Sequence, residues 1–259
     1  MLRGEPLVRE LSFSGARANA AQLETVSRSR VFFAHQSVGQ NLLDAVPSVY
    51  AASNLAAPNL INDAAEVSTP DGFILDEVIG TNGDPLGKLA AFDRKLRSGL
   101  GETLDVAMVK LCYMDFDAQT DVNAIFDSYK QTMAGLAHDY PRVRFVYTTV
   151  PLMADRDLIG RLKALFGRAQ EFDPAHNAAR ERYNALIRAE FGTTGRLFDI
   201  AAVEAAGDGN TLRFRSSAGG EFLAMDPALS SDGGHLNSDG AVLVASNWLS
   251  VVATAAPTR

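Results

Sequence analysis

The stretch that decides the fold is "RVFFAHQSVGQNLLDAV", residues 30–46. After Arg30, residues 31–34 form a β-prone apolar run, and the apolar residues from Val38 onward recur at the spacing of an amphipathic helix. Ser37 lies at the junction, directly after the run and just before Gly39. The pattern is typical of a strand that turns into a helix, and we expect Pro47 to disturb that helix.

The same alternation of strand and helix recurs along the chain. Further apolar segments predict strands at residues 72–79, 105–114, 143–150 and 196–201, with helical segments between them. Strands that alternate with helices indicate βαβ units, which form a mainly parallel sheet covered on both faces. We therefore predict an α/β protein, a three-layer α/β/α sandwich, with an N-terminal extension or helix at 1–29 and a single domain at 30–259.

Composition narrows the function classes. The 259 residues carry a net charge of −7, so no basic face is offered to nucleic acid. A single cysteine excludes an intramolecular disulfide and, with four histidines, argues against a structural zinc site. No apolar stretch approaches the roughly 20 residues of a membrane span, and the charged N-terminus lacks a signal-peptide core. We expect a soluble protein, cytoplasmic unless a signal peptide has been removed, in which case periplasmic or secreted.

Polar residues follow the predicted strands at one edge of the sheet. They are Ser37, Asn82, Gly83, Asp115, Asp232 and His235. Because ligands bind outside the carboxyl ends of parallel strands, these residues are expected to converge. A serine becomes a nucleophile when an imidazole accepts its proton and a carboxylate orients the imidazole. Asp232 and His235, three residues apart, can supply both groups, and the N–H groups of Ser37 and Gly83 can receive an oxyanion.

Each of these features also has a structural interpretation. A serine at a helix start is most often an N-cap, and an Asp-x-x-His pair often serves only structural hydrogen bonding. Asn82-Gly83 is by default a turn. Their order along a doubly wound sheet favours the catalytic interpretation.

Three segments carry a family resemblance: "HQSVGQN" (35–41), "GTNGDPLGKL" (80–89) and "DGGHLNSDGAVLVASNWL" (232–249). In order and position they resemble the serine, glycine and Asp-x-x-His blocks of the SGNH (GDSL-type) hydrolases. The resemblance implies a flavodoxin-like five-stranded sheet and no cofactor. It implies Ser37 as the nucleophile, His235 as the base and Asp232 as its orienting partner, and it assigns the oxyanion-hole glycine to Gly83.

The sequence departs from the family pattern at two places. His35-Gln36 stands where the family has Gly-Asp, and Met114 in "CYMD" (112–115) stands where it has an oxyanion-hole asparagine. Asn82 is our candidate substitute for that asparagine, with Gln36 or Tyr113 as further candidates.

Four residues are predicted to line the substrate pocket: His35, Gln36, Tyr113 and Asp115. Lys110 lies inside an apolar strand, where a buried ammonium needs a partner. An acidic structural partner is favoured over a role in substrate binding.

The function predicted from these residues is ester hydrolysis through an acyl-enzyme. The substrate class is a short acyl or acetylated carbohydrate ester, without metal, nucleic acid or membrane span, and the oligomeric state stays open. The alternative is a catalytically impaired carbohydrate- or ligand-binding domain. An α/β-hydrolase is disfavoured because only one clear strand precedes Ser37. Neither a complete P-loop nor a G-x-G-x-x-G motif occurs.

Overall fold

The computed structural model describes residues 7–64, 67, 72–155, 173–207 and 209–257. Its strands are β1 (Leu7–Ser12), β2 (Arg30–His35), β3 (Asn59–Ile61), β4 (Phe73–Val78), β5 (Val106–Val109), β6 (Arg144–Phe145), β7 (Tyr147–Thr148), β8 (Leu197–Phe198), β9 (Thr211–Ser217) and β10 (Gly220–Phe222). Its α-helices are α1 (Ala20–Ser27), α2 (Ser37–Ala51), α3 (Pro85–Arg97), α4 (Val122–Asp139), α5 (Pro174–Phe191), α6 (Ile200–Ala206) and α7 (Ser238–Ala255).

The central sheet is parallel and has five strands in the order β3-β4-β2-β5-β6. The chain continues from β6 into β7 across Val146, whose N–H still bonds Ala107 of β5, and β7 pairs with β8 in parallel. The flavodoxin-like three-layer sandwich predicted from the sequence is confirmed. The strand order reverses between β2 and β5, so ligands are expected at the carboxyl end of β2.

Burial on both faces explains the apolar runs of the central strands. In β2, Val31 and Phe33 belong to a core shared with α1, α2, α6 and α7, whereas Phe32 and Ala34 face a core shared with α3, α4 and α5. A strand buried on both faces shows no polar alternation. The short run 30–34 therefore predicts a central strand.

A second, antiparallel sheet has the order β1-β9-β10. Its β9–β10 hairpin turns at residues 218–219, and Gly220, which begins β10, has φ +115°. Residues 1–6 of the predicted N-terminal extension lie outside the described residues. The described part of that extension packs on the domain, because β1 pairs with β9 and the Gln22 side chain of α1 donates to Ser250 Oγ in α7.

Helix α2 runs through Pro47 and ends one turn later, further than the sequence pattern indicates. The last turn is secured by Tyr50, which is fully buried and donates its hydroxyl to the carbonyl of Leu23 in α1. Within the described residues, no helix combines the length and the apolar character needed to cross a membrane.

Candidate active site

Ser37 is the first residue of α2, immediately past the carboxyl end of β2. The N-cap position belongs to Gln36, whose extended backbone directs the chain from strand into helix and whose side chain makes no capping hydrogen bond. The Ser37 side chain, half-buried, instead lies 3.0 Å from His235, measured from Oγ to Nε2. The serine is therefore placed at a helix N-terminus without serving as its cap.

The loop before α7 holds Asp232 and His235 together. Asp232 Oδ1 accepts the backbone N–H groups of Gly234 at 2.9 Å and of His235 at 2.7 Å, while Oδ2 lies 2.7 Å from His235 Nδ1. Gly233 turns the loop with φ +96°, a conformation that favours glycine. The carboxylate therefore fixes both the loop and the imidazole ring.

The pKa of Asp232 is lowered to about 2. Partial burial alone would raise it, but hydrogen bonds from His235 and Gly234 and the nearby imidazole outweigh that effect. An ionised Asp232 accepts a proton-bearing Nδ1, which leaves Nε2 of His235 as the hydrogen-bond acceptor facing Ser37. These three side chains thus form a continuous hydrogen-bonded series from hydroxyl to carboxylate.

The loop after β4 is attached to the start of α2 by Gln36. Its amide nitrogen donates to the carbonyls of Ile79 at 2.6 Å and Gly80 at 3.0 Å. Both amide hydrogens are thereby used, and the side chain is buried. Gln36, predicted as a pocket residue and as a possible oxyanion donor, instead holds the loop that carries Asn82.

Asp115 is a buried connector between two loops. Its carboxylate accepts the N–H groups of Gly83 at 2.9 Å and Cys112 at 2.7 Å, and both oxygens accept from the Lys88 ammonium. The pocket role of Asp115 stays a prediction, which the full use of its buried carboxylate inside the protein does not favour. The Gly83 N–H is used in its hydrogen bond to Asp115, so it is not free to serve as the oxyanion-hole donor that the sequence predicts.

His35, also predicted to line the pocket, is fully buried. Its ring has no exposed surface and contacts the carbonyl of Gln36 at 3.0 Å and Asp76 Oδ2 at 3.3 Å. The ring packs so closely under α2 that a Cβ at Gly39 would lie 2.4 Å from it. The buried His35 ring therefore packs against the first turn of α2 and supports it.

Tyr113 stays beside the proposed catalytic side chains. Its ring meets the His235 ring edge-on, with 6.0 Å between centroids, and its hydroxyl would lie 2.9 Å from a Cβ built at Gly234. The Arg180 side chain donates to its backbone carbonyl at 3.0 Å. The next residue, Met114, is 44 % exposed at the position where an asparagine was expected.

No protein-family model and no curated protein matches the chain. Several solved structures match its fold. An acetyl xylan esterase, AlAXEase, is 15 % identical, with a TM-score of 0.51 over 86 % of this chain and 99 % of its own. A structure described as a candidate platelet activating factor from Streptococcus pneumonia is 13 % identical, with a TM-score of 0.51 over 88 % of this chain and 93 % of its own. A candidate SGNH hydrolase from Slackia heliotrinireducens is 14 % identical, with a TM-score of 0.50 over 86 % of this chain and 98 % of its own.

The chain has the SGNH-hydrolase fold. The resemblance inferred from the three sequence segments is confirmed at this level. Identities of 13–15 % establish the fold alone, so the roles of the residues rest on this chain's own geometry.

Within this SGNH fold, helix α5 supports the loops around the site with side chains that the sequence analysis did not select. Asn177 bonds both the N–H and the carbonyl of Met153, and Asn184 does the same for Val150. Arg180 lies between them on the same helix face. All three are buried, so the only sequence signal was polar residues at i, i+3 and i+7 in a helix that must face the core.

A buried titratable group, Glu204, lies behind the same loops. Glu204 accepts the N–H of Leu152 at 2.7 Å, and burial raises its pKa to about 8. Burial likewise lowers the pKa of Lys110, whose ammonium makes no hydrogen bond among the described residues. Glu204 is among the acidic groups that act on Lys110. The acidic structural partner favoured for Lys110 from the sequence stays a prediction, because its ammonium forms no hydrogen bond among the described residues.

Proposed function

We propose that this chain is a serine ester hydrolase that works through a covalent acyl-enzyme. The observation that carries the proposal is the hydrogen-bonded series Ser37–His235–Asp232, with distances of 3.0 Å and 2.7 Å. A serine, a histidine and an aspartate in this order form the arrangement that activates a hydroxyl nucleophile. A structural role alone does not require the serine to face a histidine 198 residues away.

In the proposed reaction, Ser37 Oγ attacks the ester carbonyl carbon while its proton passes to His235 Nε2. The resulting tetrahedral intermediate collapses as the imidazolium returns that proton to the leaving alcohol, and the acyl group stays on Ser37. A water molecule then attacks the acyl carbon while His235 takes its proton. The bond between Ser37 Oγ and the acyl carbon breaks as the imidazolium returns that proton to Oγ, which releases the carboxylic acid and restores the serine. Asp232 keeps the ring oriented and stabilises its positive charge throughout.

The developing oxyanion needs hydrogen-bond donors close to Ser37. The N–H of Ser37 lies at the N-terminus of α2, where the first N–H groups of a helix have no partner within it and the helix dipole favours negative charge. Asn82 is the proposed side-chain donor, since Met114 offers none and Gly83 already donates to Asp115. The proposed donors are therefore the Ser37 N–H and the Asn82 side chain, without the Gly83 N–H.

The proposed substrate class is a small ester, either a short acyl ester or an acetylated carbohydrate. An acetyl xylan esterase shares this fold, which agrees with the acetylated-carbohydrate alternative. The proposed mechanism uses only protein groups and water, so it requires no cofactor. The acidic net charge of −7 gives no support to nucleic acid as a partner.

Turnover of p-nitrophenyl acetate and longer p-nitrophenyl esters by the wild type, Ser37→Ala and Ser48→Ala tests the proposal. Ser48 is an exposed serine on the same helix and is the matched control. We expect loss of turnover in Ser37→Ala alone, and labelling of Ser37 by a fluorophosphonate probe. Equal rates in the wild type and Ser37→Ala, with no labelling, would instead support the catalytically impaired binding domain.

A further inference from the structure

Lys88 is a buried cation whose hydrogen bonds are all accounted for. It is 1 % exposed, and its Nζ donates to Asp115 Oδ1 at 2.7 Å, Asp115 Oδ2 at 2.8 Å and Asn82 Oδ1 at 3.0 Å. A buried ammonium requires a counter-ion, which Asp115 supplies. Pairing with Asp115 does not require the further hydrogen bond from Lys88 to Asn82.

The bond to Lys88 sets the orientation of the Asn82 amide. An ammonium only donates hydrogen bonds, so the Asn82 atom facing it must be the carbonyl oxygen. The two N–H bonds of Nδ2 therefore point away from Lys88. Asn82 itself is exposed, and its loop is fastened through Gly80 to Gln36, the residue before Ser37.

We propose that Lys88 is a positioning residue that holds the Asn82 carbonyl inward and so presents the Asn82 Nδ2 donor to the oxyanion formed at Ser37. This inference rests on the proposed ester hydrolysis and explains how the site functions without an asparagine at position 114. Asp115 fixes Lys88 and, through the N–H groups of Gly83 and Cys112, fixes the two loops that flank it. The donor is thus held from behind by a buried ion pair.

A double-mutant cycle measures this coupling. We expect Asn82→Ala to lower kcat by about 10²–10³-fold with KM changed less than about threefold, as for loss of one oxyanion-hole donor. Lys88→Met should lower kcat to a similar extent, and the double variant should be no slower than the slower single variant. Multiplied losses in the double variant would overturn the proposal, because Lys88 would then act on something other than Asn82.

Asn82→Asp provides a variant that does not disturb the buried ion pair. Its carboxylate can still accept from Lys88, but it places an acceptor oxygen where Nδ2 donated. We expect this isosteric change to be slower in kcat than Asn82→Ala, with an unchanged melting temperature. A kcat equal to or above that of Asn82→Ala would contradict the donor role.

Side-chain ¹⁵N relaxation separates this inference from the proposed function. We expect an ordered Asn82 Nδ2 in the wild type and a mobile one in Lys88→Met, with the exposed Asn123 of α4 as the mobile reference. An Asn82 amide as mobile as that of Asn123 in the wild type would overturn the positioning role whether or not esters are hydrolysed. Failure of the proposed function is recognised differently, as wild-type turnover equal to that of Ser37→Ala.

Discussion

Replacing Asp232 by asparagine is expected to remove most of the proposed ester hydrolysis while preserving the loop before α7. Asp232 Oδ1 accepts two backbone N–H groups, so the asparagine carbonyl oxygen should take that place. The new NH₂ group then faces His235 Nδ1 and donates to it. The ring proton is forced onto Nε2, which can no longer accept the proton of Ser37.

The size of the loss follows from two effects. An imidazolium about 4 Å from a carboxylate is stabilised by about 4 kcal/mol at an effective dielectric constant of about 20. The Asp232 side chain is 56 % exposed, so solvent screening reduces that share. The wrong tautomer of His235 raises the barrier further. The two effects together should lower kcat by about 10³–10⁴-fold, which corresponds to about 4–5.5 kcal/mol in activation free energy.

The assay is steady-state hydrolysis of p-nitrophenyl acetate, with thermal unfolding measured in parallel. Asp239→Asn is the control, because Asp239 is a nearby carboxylate in the first turn of α7. We expect the control to keep wild-type kcat, and both variants to keep the wild-type melting temperature within about 2 °C. A loss of less than about tenfold in Asp232→Asn, with the fold intact, would refute the tautomer argument.

Other predictions address pH, packing and a buried charge. At pH values low enough to protonate His235, kcat/KM should fall about tenfold for each further unit of pH, because a protonated imidazole cannot accept the serine proton. The Asp232 carboxylate, with a pKa of about 2, stays ionised over this range and does not contribute to the fall. A kcat/KM that is constant from pH 5 to 8 would exclude His235 as the base. Gly39→Ala should destabilise the fold to urea by about 1–3 kcal/mol because its Cβ meets the His35 ring at 2.4 Å. Gly135→Ala, in the open interior of α4, should stabilise it by about 0.5–1 kcal/mol, and equal effects would disprove the packing argument. Lys110→Met should raise the free energy of unfolding by about 1–3 kcal/mol, since the Lys110 ammonium lacks a hydrogen bond among the described residues. A melting temperature lowered by several degrees would show instead that neighbouring groups stabilise the charged ammonium.

The sheet could be predicted from sequence where strands are buried on both faces. Their apolar runs at 30–34 and 72–79 match β2 and β4 within a residue or two. The run 105–114 predicts too long a strand, because the Asp115 carboxylate takes the N–H of Cys112 and turns the chain after β5. The edge strand β3, three residues long, is too short to show a period.

The site could be predicted only in part, for a physical reason. Ser37, Asp232 and His235 stand at strand ends and helix starts, positions that the order of elements along the chain identifies. The proposed role of Lys88 depends on its long-range contact with Asp115, which no local sequence pattern specifies. One signal did exist, since Lys88 occupies the same helix face as the buried Phe92 and Leu96, where an apolar residue is expected.

The separation of 198 residues between Ser37 and His235 has a consequence for how the protein becomes active during synthesis. The strand and helix that carry the nucleophile emerge from the ribosome early, whereas the base arrives with the loop before α7. Contacts between such distant segments form late, because closing a long loop costs entropy before any contact compensates for it. A nascent chain would therefore carry an unactivated serine until α7 docks against α2, and the proposed esterase activity would report that docking.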